Sequence, residues 1–140
     1  MKNVIVFFWS EFNQKICVVR AEFIFFRNSL FNAANKMVLD VWKIARFNSI
    51  DYPLEEWDRV LEVNLTASFF LAQLTAKQMI KNGEGKIINI ASLLSYSGGI
   101  TVPAYTASKH GVAGITKALA NEWAQHNIQV NAIAPGYFKN

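Results

Sequence analysis

Three residues that together could move a proton on and off a carbonyl oxygen lie close in the sequence. Tyr105 and Lys109 are four residues apart, so on a helix they share one face and the ammonium can lie beside the phenol. Ser92 precedes them, at the end of an apolar run that is typical of a buried strand. A hydroxyl donor, a phenol and a fixed positive charge are suited to acid–base chemistry on an alcohol or a ketone.

The phenol needs its neighbour for this chemistry. A free phenol has a pKa near about 10, which is too high for a base at neutral pH. An ammonium one helical turn away favours the phenolate through its charge. The pair by itself is a weak signal, because a surface lysine beside a helical tyrosine gives the same spacing. It gains weight only from the residues around it.

The elements that position these residues alternate between helix and strand. Apolar residues recur with helical period over 53–82 and again over 104–127. Short apolar runs bounded by turn residues, at 86–91 and 128–134, are typical of buried parallel strands. Helix, strand, helix and strand at these lengths predict the crossover units of a parallel sheet in an α/β protein.

Polar or turn-forming residues at three further places are candidates for a site. Asn64 lies on an apolar face in the middle of the first helix, where asparagine is disfavoured and, if buried, needs a partner. Pro135 and Gly136 end the second strand, where backbone groups can meet a ligand. Ser95 is a possible substrate contact. The alternative for Asn64 is a core amide with satisfied hydrogen bonds, and for Pro135 and Gly136 it is an ordinary turn. The alternative for Ser95 is that it is simply a polar loop residue.

Asn64, Ser92, Tyr105 with Lys109, and the stretch 131–136 resemble, in order and spacing, the second half of a classical short-chain dehydrogenase/reductase. The resemblance covers about residues 49–138. It implies part of a Rossmann-like, doubly wound parallel sheet and an oxidoreductase that interconverts a secondary alcohol and a ketone. The stretches 90–95 and 98–114 further resemble the sugar-acid branch, which acts on compounds such as 2-deoxy-D-gluconate. Reductases of 3-oxoacyl-carrier protein and gluconate 5-dehydrogenases are close alternatives.

The resemblance also implies roles for individual residues. Tyr105 would be the general acid and base, and Ser92 would donate to the substrate oxygen. Lys109 would favour the phenolate and bind the ribose of the nicotinamide cofactor, which is NAD or NADP. Asn64 would hold a water that connects Lys109 to solvent. The nicotinamide would be seated by three residues after the last strand: Pro135, Gly136 and Phe138.

The first third of the chain differs from the rest. Residues 1–47 carry seven Lys or Arg against three Asp or Glu, and contain no Gly or Pro, whereas residues 48–140 carry seven of each charge. No glycine precedes Gly83, so the family's glycine-rich turn for the pyrophosphate is missing. We therefore predict an atypical aromatic and basic segment of uncertain fold over 1–47 and a truncated catalytic half over 48–140. An alternative function is an inactive fragment that only associates with a full-length homologue.

The composition of the chain limits the kinds of partner that it is expected to bind. No apolar run approaches the roughly 20 residues of a membrane span, and the basic residues form no cluster suited to nucleic acid. One cysteine excludes an internal disulfide, and with only two histidines no metal-site spacing exists. The sequence predicts a cytoplasmic protein with a small sugar-acid substrate, no metal, no membrane or nucleic-acid partner, and a homo-oligomeric intact form.

Overall fold

The computed structural model describes residues 5–9, 16–21 and 36–137. The strands within these ranges are β1 (Ile5–Trp9), β2 (Ile16–Ala21), β3 (Lys36–Val41), β4 (Gly85–Ile90) and β5 (Ile128–Ile133). The helices are α1 (Leu54–Leu61), α2 (Ala67–Asn82) and α3 (Pro103–Trp123). Short 3-10 turns lie at Ser49–Asp51, Leu93–Ser95 and Ala124–His126.

The five strands form one sheet in the order β1-β2-β3-β4-β5. From β2 to β5 neighbouring strands are parallel, and β1 is antiparallel to β2. The predicted α/β class with a parallel sheet is therefore confirmed. The segment 1–47, whose fold the sequence left uncertain, contributes three strands, and β3 pairs with β4 from Lys36 opposite Lys86 to Leu39 opposite Asn89.

Among the described residues, the core lies between the helices and one face of β4 and β5. Nine buried apolar side chains from α2, β4, α3 and β5 form a single cluster: Leu71, Ala72, Ala76, Met79, Ile87, Leu119, Trp123, Ile128 and Val130. The opposite face is more open, because Ile88 and Ile90 are only half-buried and Ile133 is 54% exposed. Burial of the nine apolar side chains fixes the helices over the sheet.

The predicted helix over 53–82 contains a wider turn at its centre. Residues Glu62–Thr66 form a π-helical turn between α1 and α2, where the periodicity predicted regular α-helix. Asn64 lies within this turn and is fully buried. Its backbone carbonyl accepts a hydrogen bond from Ser68 Oγ at 2.8 Å, while its side chain bonds outside its own helix. Such single π turns often occur at functional sites.

The start of β4 allows no side chain larger than hydrogen. A Cβ added at Gly85 would lie 2.7 Å from Met79 Cβ and closer still to its Sδ, and Met79 is fully buried in the core. We expect Gly85→Ala to lower the free energy of unfolding by about 1–3 kcal/mol, because overpacking a well-packed core costs that much. Urea denaturation measures the change.

Gly114 provides the matched control for this substitution. It is exposed on α3, and a Cβ added there would meet no atom of the described residues within 4 Å. Gly114→Ala is expected to stabilise the chain by about 0.5–1 kcal/mol through helix propensity. Equal effects of the two substitutions would contradict the packing argument.

Within the described residues, every helix is too short or too polar to span a membrane. Their His, Cys, Asp and Glu side chains form no group of three that could hold a metal ion.

Candidate active site

A cavity of about 730 Å³ lies at the carboxyl ends of the parallel strands. In open α/β sheets ligands bind in the crevice at this edge. Four parts of the chain line it: the segment after β3, the loop after β4, the first turns of α3 and the residues after β5. Most of the predicted site residues take part: Ser92, Tyr105, Lys109, Pro135 and Gly136. Phe138 lies outside the described residues.

Backbone hydrogen bonds join the ends of β4 and β5. The Ala91 amide donates to the Ile133 carbonyl at 2.8 Å, and the Leu93 amide donates to the Pro135 carbonyl at 3.0 Å. Pairing therefore continues past the regular strands, on both sides of Ser92. This continued pairing places the Ser92 hydroxyl and the Pro135 backbone on the same rim of the cavity.

Tyr105 and Lys109 share the cavity-facing side of α3, as their spacing predicts. Lys109 Nζ lies 5.6 Å from the centre of the Tyr105 ring and donates a 2.7 Å hydrogen bond to the Ile90 carbonyl. The lysine side chain is 1% exposed, so its charge acts on the phenol with little screening by water. Tyr105 is partly buried and packs against the buried cluster of Ala45, Val60 and Ala104.

Ser92 caps the short 3-10 turn that follows β4. Its Oγ accepts a hydrogen bond from the Leu94 amide at 3.2 Å. An amide donor on the oxygen leaves the hydroxyl proton for another acceptor. Since Ser92 lines the cavity, its hydroxyl can donate that proton to a carbonyl or alkoxide oxygen of a ligand.

Asn64 lies behind the cavity wall and is not part of the lining. Its Oδ1 accepts from the Lys43 amide at 2.5 Å, and its Nδ2 donates to the Lys43 carbonyl at 2.8 Å. The second Nδ2 hydrogen goes to Ser108 Oγ at 3.0 Å, and Ser108 Oγ donates to the Tyr105 carbonyl at 2.7 Å. Asn64 thus fits the description of a satisfied core amide. Its predicted role in holding a water stays a prediction.

The same contacts hold the segment after β3 against the helices. Besides the Asn64 contacts at Lys43, the Tyr52 hydroxyl donates to the Ala45 carbonyl at 3.2 Å. The Phe47 amide donates to the Thr101 carbonyl at 3.0 Å. Burial, and secondarily the charge of Glu56, raises the pKa of Tyr52 above its ordinary value, which keeps this donor protonated.

Three cavity residues come from this segment: Trp42, Ile44 and Arg46. The sequence interpretation missed them, because it assigned residues up to 47 to the atypical part. The available signal was their position directly after the strand-like run at 37–41, which places them at the carboxyl edge of a parallel sheet.

Arg46 brings a second cation to the cavity. The nearby Lys43 and Arg59 both pair with Glu56, at 3.5 and 3.8 Å. Among residues 42–137, whose side chains the structure describes, Arg46 has no ion pair, and none of the cavity residues in that range is Asp or Glu. The guanidinium and the Lys109 ammonium therefore make this cavity suited to an anion.

Residues 32–140 match the family described as short chain dehydrogenase. This match begins upstream of Ser49 and includes β3 and the segment after it. The chain is 65% identical over 94 residues to the 2-dehydro-3-deoxy-D-gluconate 5-dehydrogenase of Bacillus subtilis. It is 54% identical over 108 residues to the protein of the same name from Dickeya dadantii.

Solved structures show the same similarity in three dimensions. A structure described as a putative 2-deoxy-D-gluconate 3-dehydrogenase from Agrobacterium tumefaciens, with bound NADP, is 53% identical and has a TM-score of 0.74. The superposition covers 76% of this chain and 44% of that one. The alignment with the B. subtilis relative covers 67% of this chain and 37% of that protein. The alignment with the D. dadantii relative covers 76% of this chain and 43% of that protein. The chain thus spans less than half of the length of these relatives.

Proposed function

The chain belongs to the short chain dehydrogenase family, and we propose that it interconverts a secondary alcohol and a ketone on a sugar acid with a nicotinamide cofactor. One observation carries the proposal: Ser92, Tyr105 and Lys109 line a single cavity at the carboxyl edge of the sheet. The relatives' names, which specify 2-dehydro-3-deoxy-D-gluconate, support the substrate class.

Each of the three residues has a step that its surroundings allow. In the direction of oxidation, Tyr105 acts as a phenolate, a form that the neighbouring Lys109 charge favours, and it becomes a neutral phenol when it accepts the proton of the substrate hydroxyl. The Ser92 hydroxyl donates to the same substrate oxygen and stabilises the negative charge that develops there. In the direction of reduction, Tyr105 returns the proton to the carbonyl oxygen.

The cavity residues fit the nicotinamide and ribose half of the cofactor. Lys109 supplies a buried charge and Tyr105 a hydroxyl for the ribose, and the Pro135–Gly136 backbone borders the same space. Among the described residues, no atom lies within 4 Å of a Cβ added at Gly136, so a planar ring can approach its backbone. A bound nicotinamide supplies the acceptor or donor of hydride. The NADP bound to the Agrobacterium relative makes NADP a candidate alongside NAD.

This chain has fewer residues suited to binding the pyrophosphate half of the cofactor. No glycine precedes Gly83, and among the described residues the first helix after β3 starts at Leu54, behind Pro53. We therefore expect weak dinucleotide binding by the chain alone. Titration with NADH, followed by the fluorescence of the nucleotide, tests this point. Micromolar binding that is lost in Lys109→Ala would contradict the expectation of weak binding and support the proposed site.

Arg46 supports an acidic substrate, because a guanidinium binds a carboxylate through two parallel hydrogen bonds. We expect Arg46→Gln to raise the KM for a sugar acid, or its dissociation constant, by about 10–100-fold, since a hydrogen bond to a charged group contributes about 1.5–3 kcal/mol. Affinity for a neutral sugar alcohol of the same length is expected to stay unchanged. Quenching of tryptophan fluorescence measures both affinities, because Trp42 lines the cavity.

Arg59→Gln is the matched control for Arg46→Gln. Arg59 is also a surface arginine, with its side chain 45% exposed, but it pairs with Glu56 and lies outside the cavity lining. Equal losses of sugar-acid affinity in the two variants would show that general surface charge, and not Arg46, attracts the anion.

A second candidate function is association with a copy of the chain or a full-length homologue. Phe70 and Leu74 lie one turn apart on α2 and are 53% and 47% exposed. An exposed apolar pair on one helix face favours packing against another helix. Sedimentation of the purified chain distinguishes the two functions. A monomer that turns over substrate supports the enzyme, and an oligomer without turnover or nucleotide binding supports the association role.

A further inference from the structure

Ser95 forms hydrogen bonds to two residues of the candidate site, Ser92 and Lys109. It ends the 3-10 turn after β4 and is 4% exposed. The sequence offered it as a possible substrate contact, but it is absent from the cavity lining. Its Oγ accepts a hydrogen bond from the Ser92 amide at 3.1 Å and donates one to the Lys109 carbonyl at 2.7 Å.

The Ser95 Oγ therefore connects the turn that carries Ser92 with the helix that carries Tyr105 and Lys109. Ser92 belongs to the turn after β4 and Lys109 belongs to α3, and the Ser95 hydroxyl bonds to the backbone of both. The Ser92 hydroxyl reciprocates by accepting from the Leu94 amide, so that the turn forms a capping box. Since both partners of Ser95 are backbone atoms, the bridge constrains where Ser92 and Lys109 lie, whatever their side chains contact.

We propose that Ser95 is a positioning residue that holds the Ser92 turn at a fixed distance from the Tyr105–Lys109 face of α3. The inference rests on the proposed function for its effect on turnover. Proton transfer and oxyanion stabilisation both need donor and acceptor atoms placed within a few tenths of an ångström. The proposed carboxylate contact at Arg46 comes from the segment after β3 and not from this turn, so we expect loss of the bridge to affect kcat much more than KM.

The test compares Ser95→Ala with Ser95→Thr, which keeps the hydroxyl. In Ser95→Ala we expect kcat for the sugar acid to fall about 10–100-fold with KM within threefold of the unmodified chain, and in Ser95→Thr most of this loss to be recovered. Hydrogen exchange of the Ser92 amide, followed by NMR, is expected to be about tenfold faster in Ser95→Ala, because the amide loses its acceptor.

Thr75→Val is the control for removal of a buried hydroxyl. Thr75 is fully buried in α2, its Oγ1 donates to the Leu71 carbonyl, and it lies outside the cavity lining. We expect its kcat and its Ser92 exchange rate to match those of the unmodified chain. If Ser95→Ala leaves the Ser92 exchange rate or kcat unchanged, the positioning role is wrong.

The exchange measurement separates this inference from the proposed function. A chain without turnover would count against the proposed function, while the Ser92 exchange rate still decides whether Ser95 holds the turn. A chain with turnover whose Ser95→Ala and Thr75→Val variants lose kcat equally would show a general effect of stability and overturn the inference.

Discussion

Replacing Tyr105 by phenylalanine is expected to reduce turnover of a sugar acid by about 10²–10⁴-fold, the usual contribution of a general acid or base. The substitution removes only the hydroxyl. The ring that packs against Ala45, Val60 and Ala104 is retained, so the fold and the shape of the cavity are expected to persist. The measurement is the steady-state oxidation of the sugar acid, with reduced nucleotide followed by absorbance.

Tyr96→Phe is the control for this experiment. Tyr96 is 68% exposed in the loop after β4, close in sequence to Ser92 but outside the cavity lining. Tyr96→Phe also removes a phenolic hydroxyl, and it is expected to change kcat by less than about twofold, as surface substitutions usually do. If Tyr105→Phe retained turnover within threefold of the unmodified chain, Tyr105 would not be the acid–base group.

Asn64→Ala is expected to have the largest effect on stability. The substitution removes three hydrogen bonds at once: two to the Lys43 backbone and one to Ser108 Oγ. Because the Lys43 amide and carbonyl then lack their partners in a part-buried position, we expect the free energy of unfolding to fall by about 2–4 kcal/mol. For a domain stabilised by about 5–15 kcal/mol this is a large fraction. Urea denaturation followed by circular dichroism measures it.

Asn64→Ala is also expected to loosen the segment after β3 that forms part of the cavity wall. Without Asn64 the backbone at Lys43 loses its connection to the helices, and the adjacent Trp42 and Ile44 line the cavity. Asn82→Ala is the control, since Asn82 is exposed at the end of α2 and its change is expected within about 0.5 kcal/mol. A loss below 0.5 kcal/mol in Asn64→Ala would show that water replaces the amide at Lys43.

Much of the site could be predicted because it depends on spacing along regular elements. The four-residue separation of Tyr105 and Lys109 places them on one face of any helix, and α3 has them there. Ser92 follows a buried strand, so it had to lie at the carboxyl edge of a parallel sheet, where the cavity is found. These relations are local and need no knowledge of how distant segments meet.

The contacts of Asn64 and Ser95 could not be predicted in this way. The sequence marked Asn64 as a buried amide in need of partners, but those partners, at Lys43 and Ser108, come from a distant loop and another helix. In the sequence Ser95 has only the features of a polar loop residue. Its acceptor, the Lys109 carbonyl, is supplied by α3, which packs beside the loop in the structure. Hydrogen bonds between elements depend on their relative placement, which periodicity does not describe.

Motifs and periodicities along the chain thus predicted the candidate reacting residues, the order of helices and strands from Pro53 onward, and the family that these motifs resemble. The packing of separate segments placed β3 in the sheet, and it placed Trp42, Ile44 and Arg46 in the cavity wall, in the same lining as Lys109. The physical reason is that helical and strand periodicities arise from neighbours along the chain. A cavity wall, by contrast, forms where separate segments pack together, and its residues need share no pattern in sequence.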